Sequence, residues 1–163
     1  MSSETRRLKI PEPHFTLFKA TRQDLPEVVV VNDTLLGFRE IEIFPWHLLV
    51  RIEARTVGDN GMPSQEESDV LLDLCDQIEA TLQDATTERG APNVIFLARS
   101  TWNARCELDF YVHDPEIAHP ALQILIKDPH RPRPWEYSMN HDPAWDQAAP
   151  IFRLFPLARG LNG

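Results

Sequence analysis

Acidic, basic and aromatic side chains alternate with apolar ones between residues 105 and 113. Arg105, Glu107, Asp109, Tyr111 and His113 take the odd positions; Cys106, Leu108, Phe110 and Val112 take the even ones. Two carboxylates and a histidine on one face are groups that general acid–base chemistry uses. Arg51, Glu53 and Arg55 alternate in the same way with Val50, Ile52 and Ala54, and Glu136, Ser138 and Asn140 with Trp135, Tyr137 and Met139. Side by side, these segments make a polar sheet face, and the ordinary role of such a face is cross-strand charge pairing. If it holds a site, the residues expected there are Arg55, Arg99, Arg105, Asp109 and Tyr111. Trp102, at the tip of the neighbouring hairpin, does not fit core periodicity; exposed, it would suit a binding hot spot, and the alternative is that it folds over the sheet edge.

Other chemistry is harder to build. The six histidines, His14, His47, His113, His119, His130 and His141, include no pair four residues apart, the spacing of a zinc-binding helix. Cys75 and Cys106 form no Cys-x-x-Cys motif and are expected to be reduced, buried small hydrophobes. No Gly-x-Ser-x-Gly elbow is present. No metal and no cofactor is expected. The stretch VGDNGMPSQEES, residues 57–68, resembles a ligand loop, but no lysine follows its glycines and its acidic residues would repel a phosphate at a helix start. Ser64 and Glu67 instead spell the Ser-x-x-Glu capping box.

These residues need elements to position them. Leu71, Leu74, Cys75, Ile78 and Leu82 recur at helical spacing behind Ser64, with Gly90 expected to close that helix. Residues 15–20 and 26–38 read as two strands joined by a polar turn, and residues 42–55 as a third. Residues 93–101 and 105–113 read as a hairpin with Cys106, Leu108, Phe110 and Val112 inward. Asp114-Pro115 opens a second helix that Pro120 bends or delays. Residues 133–140 form a last strand. Asp142-Pro143 precedes a short helix interrupted by Pro150.

The order from residue 42 to about residue 140 is β-α-β-β-α-β, a ferredoxin-like antiparallel sheet in an α+β fold, with an N-terminal hairpin and a short C-terminal helix. Both main helices would cover one face and leave the polar face open to water or to a partner. One domain is expected over residues 1–163, with residues 1–13 and 158–163 as loose ends. A net charge of −9 disfavours direct nucleic-acid binding and is compatible with a basic protein partner. The absence of a long apolar run or a secretory h-region points to the cytoplasm and away from membranes.

Three motifs carry a resemblance. They are Gly61-x-Pro63-x-x-Glu66-Glu67; Arg99, Thr101, Asn103 and Arg105 followed by Asp109-Phe110-Tyr111-Val112; and Asp142-x-x-Trp145 with Leu154 and Pro156. Over roughly residues 42–156 the chain resembles domain-of-unknown-function family 695, a bacterial family without an assigned activity. The resemblance implies a fold similar to that of the bacterial regulator of ribonuclease E activity B, which inhibits a nuclease by binding it. Ala104 stands where the family has glycine, so a different turn, or a longer loop taking in Trp102, is expected. The usual tyrosine after Trp145 is missing as well.

The expectation is therefore a non-catalytic regulatory or adaptor domain that binds another protein, with a small acidic inhibitor of a basic toxin or nuclease as a special form. The alternative is a small hydrolase using carboxylates and histidine on the open face. A pocket joining Asp109 or His113 to a second desolvated titratable group would favour the hydrolase; a flat exposed patch would favour binding. The oligomeric state stays open, a homodimer included.

Overall fold

The computed structural model describes residues 10–155. The expected loose ends fall mostly outside them, except that Ile10 packs against a hydrophobic core. Six strands form one sheet: β1 (Phe15–Arg22), β2 (Leu25–Asn32), β3 (Trp46–Glu53), β4 (Val94–Trp102), β5 (Arg105–Val112) and β6 (Trp135–His141). The order is β1-β2-β4-β5-β3-β6, and every neighbouring pair is antiparallel. Three α-helices accompany it: α1 (Gln65–Asp84), α2 (Pro115–Ile126) and the short α3 (Ala149–Phe152).

The period-2 pattern of β5 has the consequence expected of it. Cys106, Leu108, Phe110 and Val112 lie in one core with the apolar stripe of α1 and with Ala118 and Leu122 of α2. A register slip of one residue would turn all four away. The third strand starts later than the sequence suggests, at Trp46, because Ile41–Ile43 winds into a 3-10 turn.

The capping box at the start of α1 is half formed. Ser64 Oγ accepts from the Glu67 N–H at 3.2 Å. Glu67 does not reach back to Ser64; its carboxylate accepts from the Arg55 N–H at 2.7 Å and from two guanidinium nitrogens of Arg133. A buried carboxylate 3% exposed needs charged partners more than it needs a cap bond. Gly90 is not the C-terminal cap: α1 ends at Asp84, and Gly90 closes a separate turn by donating its N–H to the Thr87 carbonyl.

Asp114 caps α2 through the Glu116 N–H at 2.9 Å, and the helix runs through Pro120 to Ile126. Pro150 starts α3 rather than interrupting a helix, since a first-turn proline gives up only an N–H that has no helical partner.

The expected open face is closed. Val29, Val31, Leu35, Phe44, Ile95, Leu97, Ala98, Tyr111, Trp145, Ala148 and Phe155 form a second core on the side of the sheet opposite α1 and α2. Residues 33–44 and 142–155 supply the cover. β4 adapts to it through a bulge between Phe96 and Ala98, which lets Leu97 and Ala98 both join this core. Beyond the bulge the alternation is reversed: Ser100 and Trp102 face the second side, and Arg99 and Thr101 the helix side.

Candidate functional site

The polar residues of the second side cluster where β2, β4, β5 and β3 run next to one another. Ser100 Oγ donates to Glu27 Oε2 at 2.5 Å, and Arg22 Nη1 bridges Glu27 and Glu107 at 3.2 and 3.3 Å. Arg51 Nε holds the other Glu107 oxygen at 3.1 Å. His47 Nε2 meets Asp109 Oδ1 at 2.7 Å, with side chains only 7% and 14% exposed. Burial pushes the Asp109 carboxyl above the usual carboxylate range, and the His47 contact opposes that only in part. A cleft of about 330 Å³ opens beside these groups, lined by Arg22, Glu27, Ser100, Asp109 and Gln147, with Pro150 on its rim.

A second arrangement joins two of the motifs. Tyr111 Oη donates to Asp142 Oδ2 at 2.8 Å, and the Asp142 carboxylate also accepts the Asp146 and Gln147 N–H groups at 2.9 Å each. Burial works against ionisation of Asp142, but the N–H groups and the phenol outweigh it and hold the carboxyl low. Burial, reinforced by the bond to Asp142, drives the Tyr111 phenol far above its usual range. Trp145 donates its indole N–H to the Phe44 carbonyl at 2.8 Å and takes a left-handed conformation, φ 57°. That conformation costs about 1–2 kcal/mol, which its packing must offset.

The loop of the opening motif meets the hairpin turn. Asn103 and Ala104 have φ of 47° and 64°, so β4 and β5 are joined by a two-residue turn in spite of the alanine. The expected different turn or longer loop does not form. The Ala104 N–H donates to the Gly61 carbonyl at 2.8 Å, and its own carbonyl accepts from the Ala54 N–H at 2.9 Å. Gly61 comes so near that an added Cβ would stand 2.9 Å from Asn103 Cα.

Trp102 is not an exposed tip. It is 5% exposed, donates its indole N–H to the Arg22 carbonyl at 2.9 Å, and carries the Arg22 guanidinium 3.9 Å above its ring. The bulge in β4 turns it onto the second side, where the β1–β2 hairpin provides a partner. The residues expected to share a site are dispersed. Asp109 and Tyr111 are on the second side, with Arg105 at the hairpin corner. Arg99 lies on the helix side, and Arg55 follows the end of β3, bordering a cleft with Lys127 and Arg131. His113 is exposed and bonds the Ile43 carbonyl rather than a carboxylate. Glu27, His47 and Ser100, which the sequence pattern did not single out for a site, join the expected residues, as does Asp142 of the third motif. Among the described residues, no group of three or more His, Cys, Asp or Glu side chains is arranged to hold a metal ion.

The helix side has a bare strip. The main helices cover β4, β5, β3 and β6, but among the described residues no helix lies over β1 and β2. Phe15 and Leu17 are 51% and 56% exposed there, next to half-buried Val28 and Val30, and Leu72 of α1 forms the wall. β1 has no partner on its outer edge among the described residues.

This architecture defines an α+β protein with a six-stranded antiparallel sheet and a core on each side. The model of a family of unknown function, DUF695, matches residues 15–147, and the chain belongs to that family. The match takes in the N-terminal hairpin, further upstream than the resemblance from residue 42 suggested, and stops before Leu154. No curated protein and no solved structure matches the chain. No described helix is long and apolar enough to cross a membrane.

Proposed function

We propose that the protein is a non-catalytic binding domain that engages another protein through the β1–β2 strip. The observation that carries this reading is the pairing of an open strand edge with exposed Phe15 and Leu17. A sheet edge offers unpaired backbone groups to an extended segment, and the apolar side chains beside it supply pockets for specificity. The net charge of −9 favours a basic partner and disfavours nucleic acid. Helix α1, which walls the strip, carries Glu66, Glu67, Asp69, Asp73, Asp76, Glu79 and Asp84 and no basic residue. An acidic inhibitor of a basic toxin or nuclease is one form of this function. The order β4-β5-β3-β6, with helices between β3 and β4 and between β5 and β6, supports reading this part of the chain as a ferredoxin-like unit.

The His47–Asp109 pair beside its cleft favours a second reading, a small hydrolase. Against it, Ser100, the hydroxyl in that cleft, donates to Glu27 and not to His47. A serine nucleophile activated by histidine needs that histidine within hydrogen-bond reach.

Affinity capture from a bacterial lysate, followed by mass spectrometry, separates the two. A partner held by the native protein and by His47→Ala, but lost by the Phe15→Lys, Leu17→Lys double variant, supports the binding reading. Capture indifferent to the strip, together with esterase or phosphatase turnover abolished by His47→Ala, would replace it with the hydrolase.

A further inference from the structure

Where α1 crosses the sheet, the sulfurs of Cys75 and Cys106 lie 3.5 Å apart, within hydrogen-bond reach. Both thiols are free, and 31 residues separate them in the sequence. A cleft of about 210 Å³ between α1, β2 and the β4–β5 hairpin leads to Cys106. Arg99, Thr101, Met62, Ser68 and Leu72 line it. The bulge in β4 is what brings Arg99 and Thr101 to this side, and Thr101 sits directly across from Cys106 in the ladder. A guanidinium and a hydroxyl therefore stand where a small polar molecule would approach the sulfur.

We propose that Cys75 and Cys106 are an oxidisable dithiol, a modification site for a small hydroperoxide that enters through this cleft and leaves α1 bonded to β5 by a disulfide. Cys106 is the attacking sulfur because it lines the cleft, and Cys75, which does not, is the resolving one. The Cys106 sulfur attacks the nearer peroxide oxygen and the O–O bond breaks. With hydrogen peroxide, the products are a sulfenic acid on Cys106 and one water. The Cys75 sulfur then attacks the sulfenic sulfur, an S–S bond forms, and the hydroxyl leaves with the Cys75 proton as a second water. The two thiols lose two electrons, and the peroxide gains them.

The electrostatics agree with this division of labour. Either sulfur can donate to the other; with Cys75 as the donor, the bond holds the Cys106 thiol below its ordinary range and its own above, and the Arg99 charge favours the thiolate at both. A thiol that lines a cleft and is backed by a second thiol is the arrangement in which oxidation stops at the disulfide.

The test uses the intact reduced protein and hydrogen peroxide. Intact mass should fall by about 2 Da, with a peptide map joining Cys75 to Cys106 and full reversal by a thiol reductant. The oxidised form should melt at a higher temperature, since the new bond constrains the unfolded chain. Cys75→Ser should accumulate a sulfenic acid at Cys106 that dimedone captures, whereas Cys106→Ser should leave Cys75 unlabelled. Arg99→Met should slow disulfide formation severalfold, because the charge that favours the thiolate is lost. The proposal is overturned if both thiols of the folded protein survive peroxide that oxidises them in the guanidinium-unfolded chain. Labelling of Cys75 first would overturn the assignment of the attacking sulfur. The wild-type mass measurement decides the matter even if a serine variant fails to fold.

Discussion

The ring of Tyr111 lies flat on the indole of Trp145, with 4.0 Å between ring centroids and 12° between planes. The hydroxyl of the same tyrosine reaches Asp142, three residues before that tryptophan. One aromatic on β5 thereby fixes the path of the C-terminal segment over the second core. Tyr111→Phe keeps the stack and deletes the bond to a charged acceptor, and should destabilise the protein by about 1.5–3 kcal/mol. Trp145→Ala should cost more, about 3–5 kcal/mol. Urea unfolding of both variants measures the difference, and a Tyr111→Phe variant as stable as the native protein would show that the bond contributes nothing beyond the stack.

Gly61 and Gly90 have nearly the same backbone, φ of 80° and 77°, but unlike surroundings. Nothing stands within 4 Å of a Cβ built at Gly90, whereas one built at Gly61 meets the hairpin backbone. Gly90→Ala should therefore cost only the left-handed conformation, about 1–2 kcal/mol. Gly61→Ala should cost that and a further ~1–3 kcal/mol as the turn is pushed away. Comparable melting temperatures for the two variants would contradict the close approach.

Ala104 holds a left-handed conformation that glycine adopts freely. Ala104→Gly should stabilise the protein by about 0.5–1 kcal/mol, the relieved strain outweighing the looser unfolded chain. The expected signature is a higher urea midpoint with an unchanged slope. A lower midpoint would mean that the alanine methyl packs usefully at this corner.

Glu67 is held down to about 2 from an ordinary 4.5, first by the Arg133 guanidinium and then by the Arg55 N–H. A depressed carboxylate contributes stability that is fully present above the unfolded value and is lost as the pH falls through the folded one. The contribution should therefore fade between pH 4.5 and about 2. Arg133→Ala, which strands the buried charge, should cost about 3–5 kcal/mol at neutral pH. That deficit should shrink as the pH falls through about 2, below which Glu67 is protonated with or without its partner. A deficit constant across this window would assign the loss to packing of the arginine stem.

What the sequence made legible follows from regular periodicity. The strict alternation of residues 105–113 and the helical stripe from Leu71 to Leu82 each belong to an element with one buried face, so face and register could be read directly. The Ser64 and Asp114 caps were legible for the same local reason. The second core was not. Its cover comes from short 3-10 turns around Leu35 and Ala148, which have no repeat to detect, and from a left-handed tryptophan that no propensity favours. The bulge at Leu97 left no mark in a continuous apolar run, yet it decides that Trp102 joins Arg22 and that Arg99 stands over Cys106. Glu67 was read as a cap because Arg133, its principal partner, lies 66 residues away in the sequence.

The N-terminal hairpin joins the sheet only through β2 on β4, and the Ser100–Glu27 bond there spans 73 residues. Synthesis delivers β1 and β2 first, but their inner edge has nothing to pair with until the chain has grown past the β4–β5 turn. Closing a loop of that length precedes any gain from the contacts it brings, which places hairpin docking late and makes it slow. During that interval Val28 to Val31, a run of four consecutive valines, stands uncovered. The nascent chain is then most exposed to mispairing, and a cell making this protein quickly would need its chaperones at that stage of translation rather than at the end.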